Sequence, residues 1–215
     1  MWPFARRARS PGGPAYGHRF AREVRGERWP LFPVLMRPDW PDADAMACRP
    51  MVPGKALPGI PWVALAHLGP GAPAPARAFV PRAAHGGSAE GMQEREAEAL
   101  HNLALRSAAW RTADLAPGTT MAGCDGDFLA AERILVPAFL AEAGRLLGDD
   151  TLVVGIPARG QIYAMTLARL GRGDSGRAFR QAIGVMHGRA GEGRITASIF
   201  LVVGGELASV LELDR

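Results

Sequence analysis

The last third of the chain alternates short apolar runs with tight turns, and this pattern constrains the fold more than any other feature. A β-hairpin is predicted by RITASIFLVV (194–203) and ELASVLEL (206–213), which flank Gly204-Gly205, a pair typical of two-residue hairpin turns. Two further strands are predicted by TLVVGIP (151–157) and QIYAMTLARL (161–170), which a short ARG connection joins. Neighbouring strands with short connections predict an antiparallel sheet.

The spacing of apolar residues also predicts three helices. The first covers about 90–109, with Ser88 as its N-cap, and its buried face is expected to contain Leu100, Leu103, Ala104 and Ala108. The third covers about 175–188, where Phe179, Ile183 and Met186 recur at helical spacing.

The second helix is predicted from near Asp127 to Leu147. Asp127, or Asp125 just before it, is the expected N-cap, because a carboxylate accepts the free N–H groups of a first turn. Pro137 lies inside the pattern and predicts a kink, since proline removes one backbone hydrogen bond. Gly148 is the expected C-terminal end of this helix.

The N-terminal half is rich in irregular connections. Of the 27 glycines and 18 prolines, many fall in residues 11–90. Three strands are still predicted there, over 31–37, 62–69 and 76–82, and the last two form a hairpin across PGAPAP. The prediction is therefore an α+β fold: a largely antiparallel sheet, three helices, a C-terminal β-hairpin, and a single domain over 29–215 with a loop at 38–61.

Residues 1–28 are predicted to be a flexible, basic arm. They contain seven arginines and two glutamates, whereas the remaining 187 residues are close to neutral. Such an arm is suited to weak contact with an anionic lipid surface or nucleic acid. No apolar run has the length of a signal peptide core or a membrane span, so a cytoplasmic protein is expected. Cys48 and Cys124 are expected to be free thiols.

The string GDSG (173–176) raises the possibility of a serine protease, with Ser175 as nucleophile and His85 as base. The context argues against this reading. A helical stripe follows Ser175, and two predicted helices occupy the stretch where barrel strands would lie. Asp174 or Ser175 is instead expected to cap the third helix.

Four polar residues remain as weak site candidates. Asp125 and Asp127 precede a helix in CDGD, His101 lies on the first helix, and Arg159 lies at a hairpin tip where it could hold an anionic ligand. Each also has a structural explanation: the aspartates as caps, and His101 with Asn102 as a partly buried polar pair. The spacing favours no metal site and no cofactor.

Several stretches, taken together, resemble the bacterial YtpQ-like family, a domain of unknown function. They occur in the family's order over about 31–212: LFPVLMRPDW, EREAEALHNL, DGDFLAAERILVP, LVVGIPARGQIYAM and RITASIFLVVGGEL. Two positions depart from the family's pattern, Glu132 in place of serine and Gly160 in place of aspartate. The family's usual N-terminal segment is expected to be either absent or replaced by the Arg-rich arm. The resemblance implies kinship but no activity, substrate or cofactor.

Two functions therefore stay open. The first is a non-enzymatic binding module that takes a protein or small ligand on its sheet or at the 38–61 loop. The second is a hydrolase or transferase whose site would be assembled from His101, Asp125, Asp127 and Arg159. Attachment of the arm to an anionic surface is a third, weaker idea.

Overall fold

The computed structural model describes residues 29–52, 54, 57–70, 75–85 and 89–212, except for the side chains of His85 and Ala116. The predicted arm (1–28) and the predicted N-cap Ser88 lie outside the described residues. The architecture is α+β, as predicted, and consists of two antiparallel sheets with four α-helices.

The first sheet comes from the N-terminal half. Its strands are β1 (Leu31–Met36), β2 (Cys48–Pro50), β3 (Trp62–Leu68) and β4 (Arg77–Phe79). β3 is central: β1 pairs with one side of it, and β2 and β4 pair in succession with the other. The predicted hairpin between residues 62–69 and 76–82 is confirmed, because β3 and β4 pair antiparallel.

The second sheet has six antiparallel strands in the order β10-β9-β7-β8-β6-β5. They are β5 (Arg111–Ala116), β6 (Thr119–Asp125), β7 (Thr151–Gly155), β8 (Gln161–Thr166), β9 (Ile199–Val203) and β10 (Glu206–Glu212). The hairpin across Gly204-Gly205 is confirmed. β5 and β6 were not predicted, because small residues such as Ala122 and Gly123 fill the buried positions that large apolar residues usually mark.

The helices are α1 (Ala89–Leu105), α2 (Pro137–Leu147), α3 (Leu167–Leu170) and α4 (Gly173–Arg189). Short 3-10 helices cover Arg82–His85, Ala131–Leu135 and Gly191–Gly193. None of the described helices has the length and apolar character needed to cross a membrane.

The largest core cluster joins the two sheets. Leu35 and Val63 of the first sheet share it with Val154 of the second, and Leu140 of α2 belongs to the same cluster. A second cluster lies on the other face of the six-stranded sheet, where Phe179 of α4 packs with Tyr163. The six-stranded sheet is therefore covered on both faces, and the smaller sheet lies on the same side as α2.

Two predictions about the helices are wrong in detail. Pro137 does not kink a long helix: a 3-10 helix ends at Leu135, and α2 begins with proline in its first turn, where the missing N–H costs nothing. The first helix ends at Leu105 and not near residue 109. Its buried residues are Ala99 and Leu103, whereas Ala104, which was expected on the buried face, is exposed. The predicted end at Gly148 is confirmed by its left-handed backbone.

Candidate functional site

The structure brings two of the four predicted site residues, Asp127 and Arg159, into one polar cluster. Its other members are Glu132 and Arg133 of the Ala131–Leu135 helix. The cluster lies along the outer edge of β1, the edge that does not pair with β3. We call these four side chains the β1-edge cluster.

Glu132 and Arg159 bind the main chain of β1 at Leu35. Leu35 N–H donates to Glu132 Oε1 at 3.1 Å, and Arg159 Nη2 donates to the Leu35 carbonyl at 2.8 Å. Arg159 Nη1 also donates to Glu132 Oε1 at 3.0 Å, so the two side chains form an ion pair. Together they satisfy the hydrogen bonds that a neighbouring strand would otherwise make with Leu35.

Two further positions of this edge, Leu31 and Pro33, also leave fewer backbone groups open to another strand. Asn102 of α1 donates its Nδ2 to the Leu31 carbonyl at 2.9 Å. Pro33 lies midway between Leu31 and Leu35 and has no N–H to satisfy, which suits an edge position. Side chains from α1, from the 3-10 helix and from the β7–β8 connection therefore seal β1.

Asp127 holds the turn that precedes the 3-10 helix. Its Oδ1 accepts from Leu129 N–H at 3.3 Å and from Arg106 at 3.2 Å, and its Oδ2 accepts from Arg133 Nη2 at 3.2 Å. The prediction of Asp127 or Asp125 as a helix N-cap is wrong, because the 3-10 helix has Ala130 and α2 has Val136 at that position, and neither makes a side-chain cap. The Asp127 carboxylate instead accepts an N–H two residues on, within the turn that precedes the 3-10 helix. Gly160 lies against this turn with φ of +74°, and an added Cβ would meet the Asp127 carbonyl at 3.0 Å.

Burial controls the electrostatics of the cluster. Glu132 has no solvent exposure, and desolvation raises the pKa of its carboxyl above the ordinary value, although Arg159 and the Leu35 amide act in the opposite direction. Among the described residues, neither Glu132 Oε2 nor Arg133 Nε has a hydrogen-bond partner. The guanidinium groups of Arg159 and Arg133 each lie 5.2 Å from an aromatic centroid, of Phe128 and Phe139 respectively.

The other two predicted site residues are not drawn into the cluster by any described contact. His101 is exposed on α1, so the prediction of a partly buried His101–Asn102 pair holds for Asn102 alone. Asp125 is half-buried at the end of β6, and its charge, after the effect of burial, contributes to the raised pKa of Tyr163.

The GDSG serine lies inside a helix. α4 begins at Gly173, so neither Asp174 nor Ser175 occupies the capping position that was predicted; Arg172 does, and it makes no side-chain cap. The helix begins this early because only two residues separate α3 from α4. The Arg172 carbonyl already accepts the Ser175 N–H, which places Ser175 in the first turn of α4. Ser175 Oγ lies 2.6 Å from Thr119 Oγ1, a contact that ties α4 to β6.

Two surface grooves among the described residues are further candidate sites. One, of about 430 Å³, lies where α2 meets the β9–β10 turn, near Arg145 and Asp150. The other, of about 240 Å³, is apolar and is lined by Pro38, Pro50, Leu57, Pro58, Ile60 and Trp62. We call the second one the loop groove, because most of its residues belong to the 38–61 loop.

Within the described residues, no group of three His, Cys, Asp or Glu side chains could hold a metal ion. Both cysteines are free, and burial raises the pKa of each thiol. Comparison with protein-family models, curated proteins and solved structures finds no match for the chain. The resemblance to the YtpQ-like family therefore stays a prediction.

Proposed function

We propose that this chain is a non-enzymatic binding module that takes an extended apolar segment of a protein partner in the loop groove. The observation that carries the proposal is the open apolar surface of that groove, where the Leu57 side chain is 46% exposed among prolines and Trp62. Aromatic-lined grooves bind proline-rich apolar segments in the polyproline II conformation, because such segments are already extended and lose little conformational entropy on binding.

The loop groove is held in shape by a hydrogen bond between two of its own residues and by two more from the segment before β9. Trp62 Nε1 donates to the Pro38 carbonyl at 3.1 Å and fixes one wall. The hydroxyls of Thr196 and Ser198 both donate to the carbonyl of Gly59, which lies in the chain between the groove residues Pro58 and Ile60, at 2.9 Å. A surface that is ordered before the partner arrives avoids part of the entropic cost of binding.

A peptide selection tests the proposal. Peptides selected from a random library on the full chain are titrated against Leu57→Asp and against Leu146→Asp, a matched leucine that is 49% exposed on α2. We expect Leu57→Asp to weaken binding at least tenfold, since a buried, unpaired charge is costly, and Leu146→Asp to change it less than twofold. Failure to select any peptide, or equal sensitivity of both variants, would contradict the proposal.

One observation favours the alternative of a hydrolase or transferase near Asp125, Asp127, His101 and Arg159. A buried carboxyl with a raised pKa, here Glu132, lies beside Arg159, and perturbed carboxyls cluster at catalytic sites. The full chain is assayed with chromogenic esters and phosphate esters. Turnover that exceeds the buffer rate and is lost in both His101→Ala and Asp125→Asn would favour the enzyme over the binding module.

Kinship with the YtpQ-like family and a cytoplasmic location belong to the same proposal. The five ordered stretches support the kinship, and the two free cysteines suit a reducing compartment. Cell fractionation with the native chain tests the location.

A further inference from the structure

The N-terminal arm joins the body at a fixed point beside α1. His67 donates from Nδ1 to the Trp29 carbonyl at 2.7 Å, and the indole ring of Trp29 lies directly against Gly69. Two residues later, Asn102 of α1 binds the Leu31 carbonyl. The chain that precedes Trp29 therefore starts next to the C-terminal half of α1.

The exposed face of α1 is acidic. Glu90, Glu94 and Glu98 recur at four-residue spacing and are all exposed, so they form one stripe. No ion pair found among the described residues includes any of the three. Like charges at this spacing repel one another, and Arg95 is the one basic residue of α1 before its last turns.

One end of the stripe, Glu98, lies toward the side of α1 from which the arm starts. Successive helical residues are rotated by about 100°, which places Glu98 about 40° from Asn102, on the β1 side. Glu96, by contrast, lies on the far side, where it pairs with Arg49 of β2. The stripe therefore begins next to the origin of the arm at Glu98, and each earlier glutamate is rotated about 40° further from Asn102, across the exposed face of α1.

We propose that the arm (1–28) docks on the acidic stripe of α1, with its arginines against Glu90, Glu94 and Glu98. The arm has seven arginines and two glutamates, and four of the arginines (Arg19, Arg22, Arg25, Arg28) recur every third residue next to the attachment point. The charges are complementary, and a segment of this length easily spans a 17-residue helix. This inference does not rest on the proposed function.

Because the arm is tethered to the body of the protein, even a weak affinity for the acidic stripe is enough for it to dock. A short flexible connection gives an effective concentration in the millimolar range. An arm that would bind as a free peptide with a dissociation constant of about 1 mM is then docked roughly half of the time. Exposed ion pairs are screened by salt, so the docking is expected to disappear near 1 M NaCl. A polyanion that binds the arm would uncover the stripe.

Trypsin, which cleaves after arginine, tests the docking in the full chain. The triple variant Glu90→Gln, Glu94→Gln, Glu98→Gln keeps good helix formers but removes the charge. At low salt we expect its arm to be cut about twofold faster than that of the unmodified chain, because an arm that is docked half of the time is open to trypsin only for the other half. At 1 M NaCl the two rates are expected to be equal.

A matched control removes three exposed acidic residues from the other half of the fold: Asp174→Asn, Glu192→Gln and Glu206→Gln. Its arm is expected to be cut at the unmodified rate. Equal rates for all three proteins at low salt, or the same acceleration in the control, would overturn the proposal. A nitroxide on Ser10→Cys gives a second readout: docking requires broadening of α1 amide signals at low salt, relative to equally treated unmodified chain, and its absence there would also overturn the proposal.

Discussion

Replacing Glu132 by alanine tests whether side chains really hold the edge of β1. The substitution removes the acceptor of Leu35 N–H and the ion-pair partner of Arg159 at the same time. An orphaned buried donor costs about 1–3 kcal/mol, and breaking one half of a buried ion pair costs about 3–5 kcal/mol. One oxygen serves both contacts, and the Arg159 side chain keeps 15% exposure, so the costs overlap and we expect a loss of about 3 kcal/mol.

Equilibrium unfolding in urea, followed by tryptophan fluorescence, measures this loss. With a denaturant slope of about 1–3 kcal/mol/M, the midpoint is expected to fall by about 1–3 M. Hydrogen exchange under native conditions adds a local readout, because the Leu35 amide should lose protection first. Glu206→Ala, an exposed residue of β10, is the control and is expected to change the free energy of unfolding by less than about 0.5 kcal/mol.

A double variant separates the two roles of the pair. Glu132→Leu with Arg159→Leu removes both charges, which is often neutral for a buried ion pair. Here it also leaves the Leu35 N–H and C=O without these partners, so we still expect a loss of about 2 kcal/mol. The reasoning is refuted if Glu132→Ala costs less than about 1 kcal/mol, or if Leu35 keeps its protection in both variants.

Three further predictions concern pH, α1 and α4. Because the folded pKa of Glu132 is raised, the stability due to its carboxyl is complete below pH 4.5 and is lost as pH rises through the folded pKa. In urea unfolding across pH 4–8, the free energy of unfolding of Glu132→Gln should therefore rise relative to that of the unmodified chain as pH rises. A difference that stays constant with pH would contradict the raised pKa. In thermal unfolding, Asn102→Ala should cost about 1–2 kcal/mol, whereas the neighbouring exposed His101→Ala should cost less than about 0.5 kcal/mol. Gly176→Ala in α4 would put a Cβ 1.8 Å from the Leu170 carbonyl oxygen of α3 and should cost at least about 2 kcal/mol of stability. Gly184→Ala, also in α4, meets nothing within 4 Å and should stabilise the protein by about 0.5–1 kcal/mol. A similar effect of both substitutions would show that α4 can shift freely.

Local signals in the sequence were enough for the elements with strong periodicity. The β9–β10 hairpin follows from alternation around Gly204-Gly205, and α4 follows from Phe179 and Ile183 at helical spacing. The boundary at Pro137 was also readable, because the residue before a proline favours extended backbone and proline suits the first helical turn. Reading it as a kink gave too much weight to the apolar stripe that continues through it.

Contacts between distant residues were beyond local reasoning. Pro117-Gly118 is a turn signal between two Thr- and Ala-containing runs, and it could have indicated β5 and β6. No spacing rule, however, pairs Glu132 with Arg159 or aims both at Leu35. The sequence predicts that Arg159 could hold an anionic ligand, and Arg159 does bind a carboxylate, but one that the chain itself supplies.

The way in which β1 is sealed also bears on synthesis of the chain. The acceptor for Leu35 N–H lies 97 positions later in the sequence, and the donor for its carbonyl lies 124 positions later. During translation this strand therefore emerges long before the groups that cover it, and its edge stays available to other strands throughout that interval. A nascent chain arrested before residue 132 would expose an incomplete sheet, so we expect the emerging N-terminal half to depend on protection that the finished protein no longer needs.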